Sequence, residues 1–547
     1  MVEPYETGDD DDNTTRLDDD DEDTSNDDQD CNTTKKENKQ NKIRLYRIAE
    51  QIHQKEDIFV DEYHTPYAFV KTNDHMEVLD LYSLRFQHWI YRKLIVYFDG
   101  RAILPEPADV TRVLDYLKAH AEFDAVQKVL HLRVAGGEEE EDDDSTTNII
   151  YYDLTSPVWE TIKITPQGWL IEKTPTMMFR RYKNQIAQVY PSREYPDDIF
   201  DRFINLINVK TEDSKLLLKC YIIALLFPDI PKAILMLHGE PNSAKTTLLE
   251  LIKMLIDPCS TRTLTCRNEN DELAQLFSHN YLPYFDNLSY ISDRMSDAFC
   301  RAVTGDSFSK RKLYTDNDDI FYTFMRCIGF SGVNLAASKS DLLDRSLIIE
   351  LERIPSDSQR QIKKIWKDFN EIKPQLLGYI FDILAKVLSM RQTSHIDVKG
   401  LPRLADWAEA CELISRCLGY KDNQFIEAFR RNVKLQNEAA VEDSAIAQTI
   451  ISFMEGKEMW QGTPTELLGL LETVASSTLS INTKNHKIWP SKPNVLSRRL
   501  KYVISNLREF GINIRPGDNS TTKNKTLCIE KISVQSSIRH ARSRSNL

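Results

Sequence analysis

The chain has 547 residues, room for three or four domains, with 41% apolar residues and a formal net charge of −14. That acidity does not exclude a nucleic-acid partner, because residues 1–30 hold fifteen acids and one base, Arg16, and leave the remainder balanced. Nine cysteines stand singly without a C-x-x-C pair, which argues against a zinc site or a disulfide framework. No basic-then-apolar leader and no apolar run of about 18 residues is present, so a cytoplasmic protein without a membrane partner is expected.

Residues 1–40 are Asp, Asn, Thr and Lys with almost no large apolar groups, and are expected to be a disordered acidic tail. Such a tail either solubilises the protein or mimics nucleic acid in a basic channel. Residues 41–200 read as an accessory α+β domain. NKIRLYRIAEQIHQ, EVLDLYSLRFQHWIYRKLIVYF and DVTRVLDYLKAHAEF have helical periodicity. Residues 129–135 and 148–155 read as paired strands around the acidic loop GGEEEEDDDSTT, and two more short strands flank the turn at 166–168. No paired carboxylate-and-histidine arrangement marks a primase centre there.

The main chemistry falls in 201–395. Two helices, DDIFDRFINLIN and SKLLLKCYIIALLF, lead into AILMLHGEPNSAKTT. This stretch reads as a buried strand (233–237), a tight loop (239–244) and a helix opening at Lys245. Backbone N–H groups of such a loop wrap the β- and γ-phosphates of a nucleotide, and the helix terminus adds its positive dipole end. Gly239, Glu240, Pro241, Asn242, Ser243, Ala244, Lys245, Thr246 and Thr247 are therefore expected to bind ATP, with Lys245 as mobile cation and the Thr246 hydroxyl on Mg²⁺. Ala244 stands where the pattern G-x-x-x-x-G-K-[ST] has its second glycine, and is expected to suffice with a negative φ.

YLPYFDNLS (281–289) reads as a second apolar strand ending in an acid, with Asp286 holding Mg²⁺ through water. The next position often carries a carboxylate that orients the attacking water. Here it is Asn287, which positions water but takes no proton. A helix then runs to Gly305, and two strands flank a turn at 316–318. MRCIGFSGVN (325–334) is a further strand with Asn334 at its C-terminal end, the ligand-facing edge of an open parallel sheet. Asn334 either touches the γ-phosphate or its water, or caps the next helix. Arg345, before the strand in SDLLDRSLIIEL, either reaches a neighbouring subunit's nucleotide or pairs with Asp341 or Asp344 in its own chain.

The stretch DSQRQIKKIWKDFNEIKPQLLGYIFDILAKVLSM reads as a helical lid, and 396–443 as a helical linker carrying Arg403. Residues 444–532 give three helices and a β-hairpin, a winged-helix pattern that serves DNA binding or protein docking. Its third helix carries Lys492, Arg498, Arg499 and Lys501, a density suited to phosphate contacts. Residues 533–547 form a basic flexible tail.

Taken together, Gly239–Thr246, the strand ending at Asp286, TGDSFSKRK (304–312) feeding a hairpin, the strand ending at Asn334, and Arg345 resemble a superfamily 3 helicase core. That core is a branch of the AAA+ ATPases, and the papillomavirus-type replicative helicase shares the pattern. The resemblance covers roughly residues 205–355. The phrases LHGEPNSAKTTL, FDNLS, GDSFSKRKLYTDND, SDLLDRSLIIEL and LPRLADWAEA are also similar to ATP-binding replication proteins of phages, plasmids and integrated elements, some fused to primase-polymerase modules. The resemblance implies an α/β AAA+-type P-loop core, ATP and Mg²⁺, DNA as partner, a homo-oligomeric ring (hexamer) and a primase or polymerase partner. It casts Lys245, Asp286, Asn287, Asn334 and Arg345 as catalytic. The hairpin tip TDNDD is acidic where viral helicases are basic and aromatic, which leaves Lys310, Arg311 and Lys312 to contact DNA phosphates. Two functions are expected from different classes: a replicative helicase of a mobile element, or an initiator that assembles on DNA under nucleotide control.

Overall fold

A computed structural model describes residues 42–97, 104–137, 149–265, 270–288, 291–311, 319–323, 325–332, 340–355, 361–391, 396, 404–442, 444–486, 488–517 and 526–532. The acidic tail, the basic tail, the acidic loop after Gly137, Arg403, Lys312 and Asn334 lie outside these residues. Two compact units are present. One takes the chain up to Val60, His64–Val70 and Leu79–Gln127; the other takes Asp61–Tyr63, Lys71–Val78 and everything from Lys128 onward. The segment 41–200, expected as one accessory domain, is therefore divided. Its strands beyond Lys128 share a core with residues 233–256 and not with the first helices.

The first sheet has the order β3-β2-β1-β4, from β1 (Asp57–Val60), β2 (Pro66–Thr72), β3 (His75–Asp80) and β4 (Val126–Gln127). Helix α1 (42–55), α2 (Leu84–Tyr97) and α3 (Pro107–Phe123) supply Leu45, Ile48, Ile52, Phe86, Ile90, Leu94 and Leu117 to its core. A capping box between Glu106 and Asp109, with Pro107 in the first turn, fixes where α3 starts. β3 is a correction to the helical expectation. EVLD reads as the front of α2 but forms part of β3, and a four-residue segment is too short for its period to decide.

The second unit opens with an antiparallel meander of β5 (Val134–Gly137), β6 (Ile149–Asp153), β7 (Thr161–Thr165) and β8 (Gly168–Glu172). Helix α4 (Ile199–Ile204) and α5 (Glu212–Ala224), the latter capped by Thr211, precede β9 (Ile234–His238) and α6 (Lys245–Ile256). Then come α7 (Asn270–His279), β10 (Tyr284–Phe285), α8 (Asp293–Thr304), the hairpin β11 (Ser307–Arg311) and β12 (Asp319–Thr323), β13 (Gly329–Ser331), α9 (Ser340–Leu343) and β14 (Ser346–Glu350).

β10, β13, β9 and β14 make a parallel sheet in that order. Period-two alternation lets β9 feed two cores at once. Ile234 and Met236 join Phe285, Phe299 and Phe330, while Leu235 and Leu237 join Leu248, Leu251 and the apolar residues of α5. Burial on both faces explains the unbroken apolar run of this strand. β10 and β13 are shorter than expected. Asn287 adopts a left-handed φ of 56°, which takes the chain out of the ladder two residues after Phe285.

The helix α10 (Ile362–Arg391) packs on β7, β8, α4 and the following α11 (Ala405–Cys417), and Phe381 meets Tyr152 and Trp169 at 5.5 and 5.9 Å. The stretch expected as a lid is thus part of the main core. After α12 (Gln424–Glu442) come α13 (Ala445–Met454), β15 (Met459–Gly462), α14 (Pro464–Ser477), α15 (Pro493–Glu509), β16 (Ile512–Pro516) and β17 (Leu527–Lys531). The last three strands form an antiparallel sheet in the order β15-β17-β16, so the expected hairpin gains a third strand from the link between α13 and α14.

Candidate functional site

The loop between β9 and α6 leaves the C-terminal edge of the parallel sheet. Gly239 has φ 145°, and a Cβ there would lie 2.4 Å from the Leu351 carbonyl oxygen. Only glycine fits that approach. Asn242 follows with φ 69°, and its carbonyl accepts from the Ile354 N–H at 3.2 Å, so the segment after β14 supports the loop from beneath. Glu240 and Pro241 are exposed, Ser243 is buried, and Thr247 sits half-buried in the first turn of α6.

Ala244 corrects the expectation made for it. It is the N-cap of α6 with φ 62° and ψ 29°, the left-handed region, where a Cβ costs roughly 1–2 kcal/mol. No side chain caps this helix and no acid stands in its first turn, so the N–H groups and the positive dipole end stay directed at the loop. The Lys245 ammonium is folded into the loop, donating to the carbonyls of Gly239 and Glu240, both at 2.8 Å, and to Ser243 Oγ at 3.1 Å.

Across the loop, Asp286 leaves β10 and meets the first turn of α6. Thr246 Oγ1 donates to Asp286 Oδ2 at 2.7 Å, and Ser331 Oγ donates to Asp286 Oδ1. Asn287 N–H donates to the same Ser331 oxygen at 3.2 Å. Ser331, 2% exposed at the end of β13, therefore locks the acid and the residue after it. Sequence reasoning passes it over. Its signal is position alone, the strand end beside the acidic strand. Gly332 (φ 86°) brings its backbone so close that a Cβ would lie 3.1 Å from Asn287 Cα. A hydroxyl and a carboxylate side by side are the oxygen donors that suit Mg²⁺, which takes one or two protein ligands and completes its shell with phosphates and water.

The other expected residues are dispersed. Arg345 sits 16% exposed before β14, and its Nη1 lies 2.6 Å from Asp341 Oδ1, the intrachain pair foreseen as one alternative. Lys310 and Arg311 are on β11, whose partner β12 pairs Lys310 with Ile320 and Arg311 with Asp319. On α15, Arg498 and Lys501 are exposed and share a stripe with exposed Arg508, at helical spacing. Arg499 differs. It donates to the carbonyls of Ile488 and His486 at 2.6 and 3.0 Å, which makes it a tie to the preceding loop. Tyr502, further along the same helix, donates to Asp293 Oδ2 at 2.9 Å.

The far end of α6 carries a buried charge cluster. Asp257, fully buried, accepts from Lys253 Nζ at 2.7 Å, from Arg133 Nε at 3.0 Å and from the Leu282 N–H at 3.2 Å. Burial alone would raise its carboxyl, but Lys253 and then Arg133 outweigh that and hold it well below the usual carboxylate range. Arg133 belongs to the approach to the meander, and Leu282 to the entrance of β10. The cluster thus fixes α6 and the acidic strand to one frame.

The family model of the actinomycete integrative conjugative element replication protein matches residues 200–434, and the model of that protein's C-terminal domain matches residues 446–542. No curated protein matches the chain. Among solved structures, two apo structures of the NrS-1 C-terminal region are similar to it at 11% and 10% identity, with TM-scores of 0.35 and 0.34, over 89% of this chain and 99% and 98% of theirs. Among the described residues, no helix is long and apolar enough to cross a membrane.

Proposed function

We propose that this chain is an ATP-hydrolysing motor acting on DNA in replication, a reading supported by its similarity to the actinomycete integrative conjugative element replication protein over residues 200–434 and to that protein's C-terminal domain over residues 446–542. The observation that carries this reading is the meeting of Thr246 and Asp286 at 2.7 Å, beside a loop that closes around Lys245. In this reading the β9–α6 loop is a P-loop in an AAA+-type core. Its backbone N–H groups cradle the phosphates, and Lys245 exchanges the loop carbonyls for phosphate oxygens. Thr246 and Asp286 would hold Mg²⁺, which would supply charge neutralisation at the β- and γ-phosphates. Ser331 keeps the Asp286 carboxylate oriented, and Asn287 and Asn334 position the attacking water.

Arg345 completes a neighbour's site in a ring, and the Asp341 pair opens when it does so. DNA binds through the exposed stripe Arg498, Lys501 and Arg508 of a winged-helix-type domain, and through Lys310 and Arg311 on the hairpin with Lys312 next in sequence. A second reading, an initiator that uses nucleotide to assemble on DNA with little unwinding, is favoured by Asn287, an amide where a proton-accepting carboxylate serves hydrolysis. Unwinding of a forked duplex separates the two. Strand separation that requires ATP and disappears in Asp286→Asn is expected. Stable binding of the fork with no strand separation at any ATP concentration would overturn the motor and leave the initiator.

A further inference from the structure

A cavity of about 600 Å³ opens at the opposite edge of the parallel sheet from the phosphate loop. Three of its lining residues stand just ahead of parallel strands: Lys232 before β9, Tyr281 before β10 and Arg326 before β13. At about 3.3 Å per residue, the six steps from Lys232 to His238 put roughly 20 Å between this edge and the loop. Much of the remaining wall comes from the meander and its approaches, including Leu132, Val134, Tyr151 and Met177, and Glu62 and Tyr63 add to it.

Lys232 is the reason to regard the cavity as built for a ligand. Its side chain is 2% exposed, and among the described residues it makes no ion pair; its one hydrogen-bonding contact is the Met325 sulfur at 3.8 Å. An ammonium taken out of water in this way is costly unless it is paired. Burial pushes the Lys232 ammonium down from its usual range, and burial followed by the Arg326 charge brings His131, in the same wall, down to about 4. Arg326 adds a second cation, its guanidinium donating to the carbonyls of Phe277 and Met325 at 2.6 and 2.9 Å. Two acids line the cavity with these groups: Glu62 accepts from the Leu130 N–H at 3.3 Å and lies 3.6 Å from Arg180 Nη2, and Asp229 is taken on one oxygen by Arg391 at 3.0 Å, while its Oδ1 is buried without a hydrogen-bond partner. Two cations whose neighbouring acids are already taken by Arg180 and Arg391, one unused acceptor and an apolar wall are the complement of an anion that carries hydroxyl or amino groups on a flat apolar body.

We propose that this cavity is a second ligand site, taking a phosphate-bearing small molecule of nucleotide size with its phosphate on Lys232 and Arg326 and a hydroxyl or amine on Asp229. The volume falls in the usual range for small-molecule sites, about 300–1,000 Å³. Its distance from the β9–α6 loop makes it independent of hydrolysis there, so an occupant would act as an effector, felt through β9, β10 and β13.

The test uses the full chain carrying Lys245→Ala, which weakens binding at the phosphate loop. Calorimetric titration with AMP, and separately with inorganic phosphate, is expected to show AMP binding with phosphate weaker. Adding Lys232→Met, which keeps the apolar stem, is expected to weaken AMP by at least about tenfold. Met177→Trp fills the cavity without removing a charge and is expected to abolish binding while far-ultraviolet circular dichroism stays unchanged. AMP binding unaffected by both substitutions, or no AMP binding at all, would overturn the site. Phosphate binding as tightly as AMP would overturn the nucleotide-sized assignment.

Discussion

The two ends of α6 solve opposite problems. At the amino end the helix is uncapped, Ala244 is held in a left-handed conformation, and Lys245 is parked on loop carbonyls. At the carboxyl end Lys253, Asp257 and Arg133 are buried and mutually paired, with the Leu282 amide completing the carboxylate's set. Polar groups left strained and exchangeable suit the ligand-binding role proposed for this end. Polar groups fully satisfied inside the core mark the frame that holds that place still.

Breaking the frame should have the largest effect. Asp257→Asn leaves Lys253 and Arg133 buried without their counter-charge, and unfolding by urea is expected to show a loss of about 3–5 kcal/mol. The same carboxylate gives stability a pH dependence. Its folded pKa lies below the unfolded one, near 4, so its contribution is full above that value and is lost as pH falls further. Wild type should therefore lose stability below pH about 4 more steeply than Asp257→Asn does. At the other end the effect should fall on turnover and leave folding intact. Asp286→Asn is expected to lower ATP hydrolysis about 100- to 1,000-fold, with an unchanged urea midpoint.

Ser331→Ala sharpens the contrast, because this serine belongs to both worlds: buried like the frame, yet bonded to Asp286. A drop of about tenfold in kcat, a raised Mg²⁺ requirement and a loss of about 1 kcal/mol in stability are expected. Ala244→Gly should give the smallest effect, and in the opposite direction. Removing the left-handed Cβ is expected to raise stability by about 1 kcal/mol, read from the shift in urea midpoint.

The legibility of the sequence follows the same division. The loop is readable because a local string of residues does local work. Gly239, Lys245 and Thr246 sit at fixed spacing after an apolar strand, and the structure brings Thr246 to Asp286. What the sequence hides depends on long-range closure. Arg133 and Asp257 are 124 residues apart, and nothing local says that they meet. Ser331 gains its role only when β13 is laid beside β10. Ala244 invites a negative-φ reading when side-chain size, and not the backbone the loop demands, is weighed. The end of the short strand β3 dissolves into a helical pattern, since six residues carry too few repeats to separate a period of 2 from one of 3.6. Arg499 has the composition of a DNA contact and the geometry of an internal tie.

Steady-state ATP hydrolysis by wild type and Lys245→Ala, each with and without single-stranded DNA, tests the central claim most directly. Mg²⁺-dependent hydrolysis that DNA stimulates and that Lys245→Ala abolishes is the predicted result. Hydrolysis that survives Lys245→Ala, or tight ATP binding with no turnover under any condition, would contradict the assignment of this loop as the site of a DNA-dependent motor.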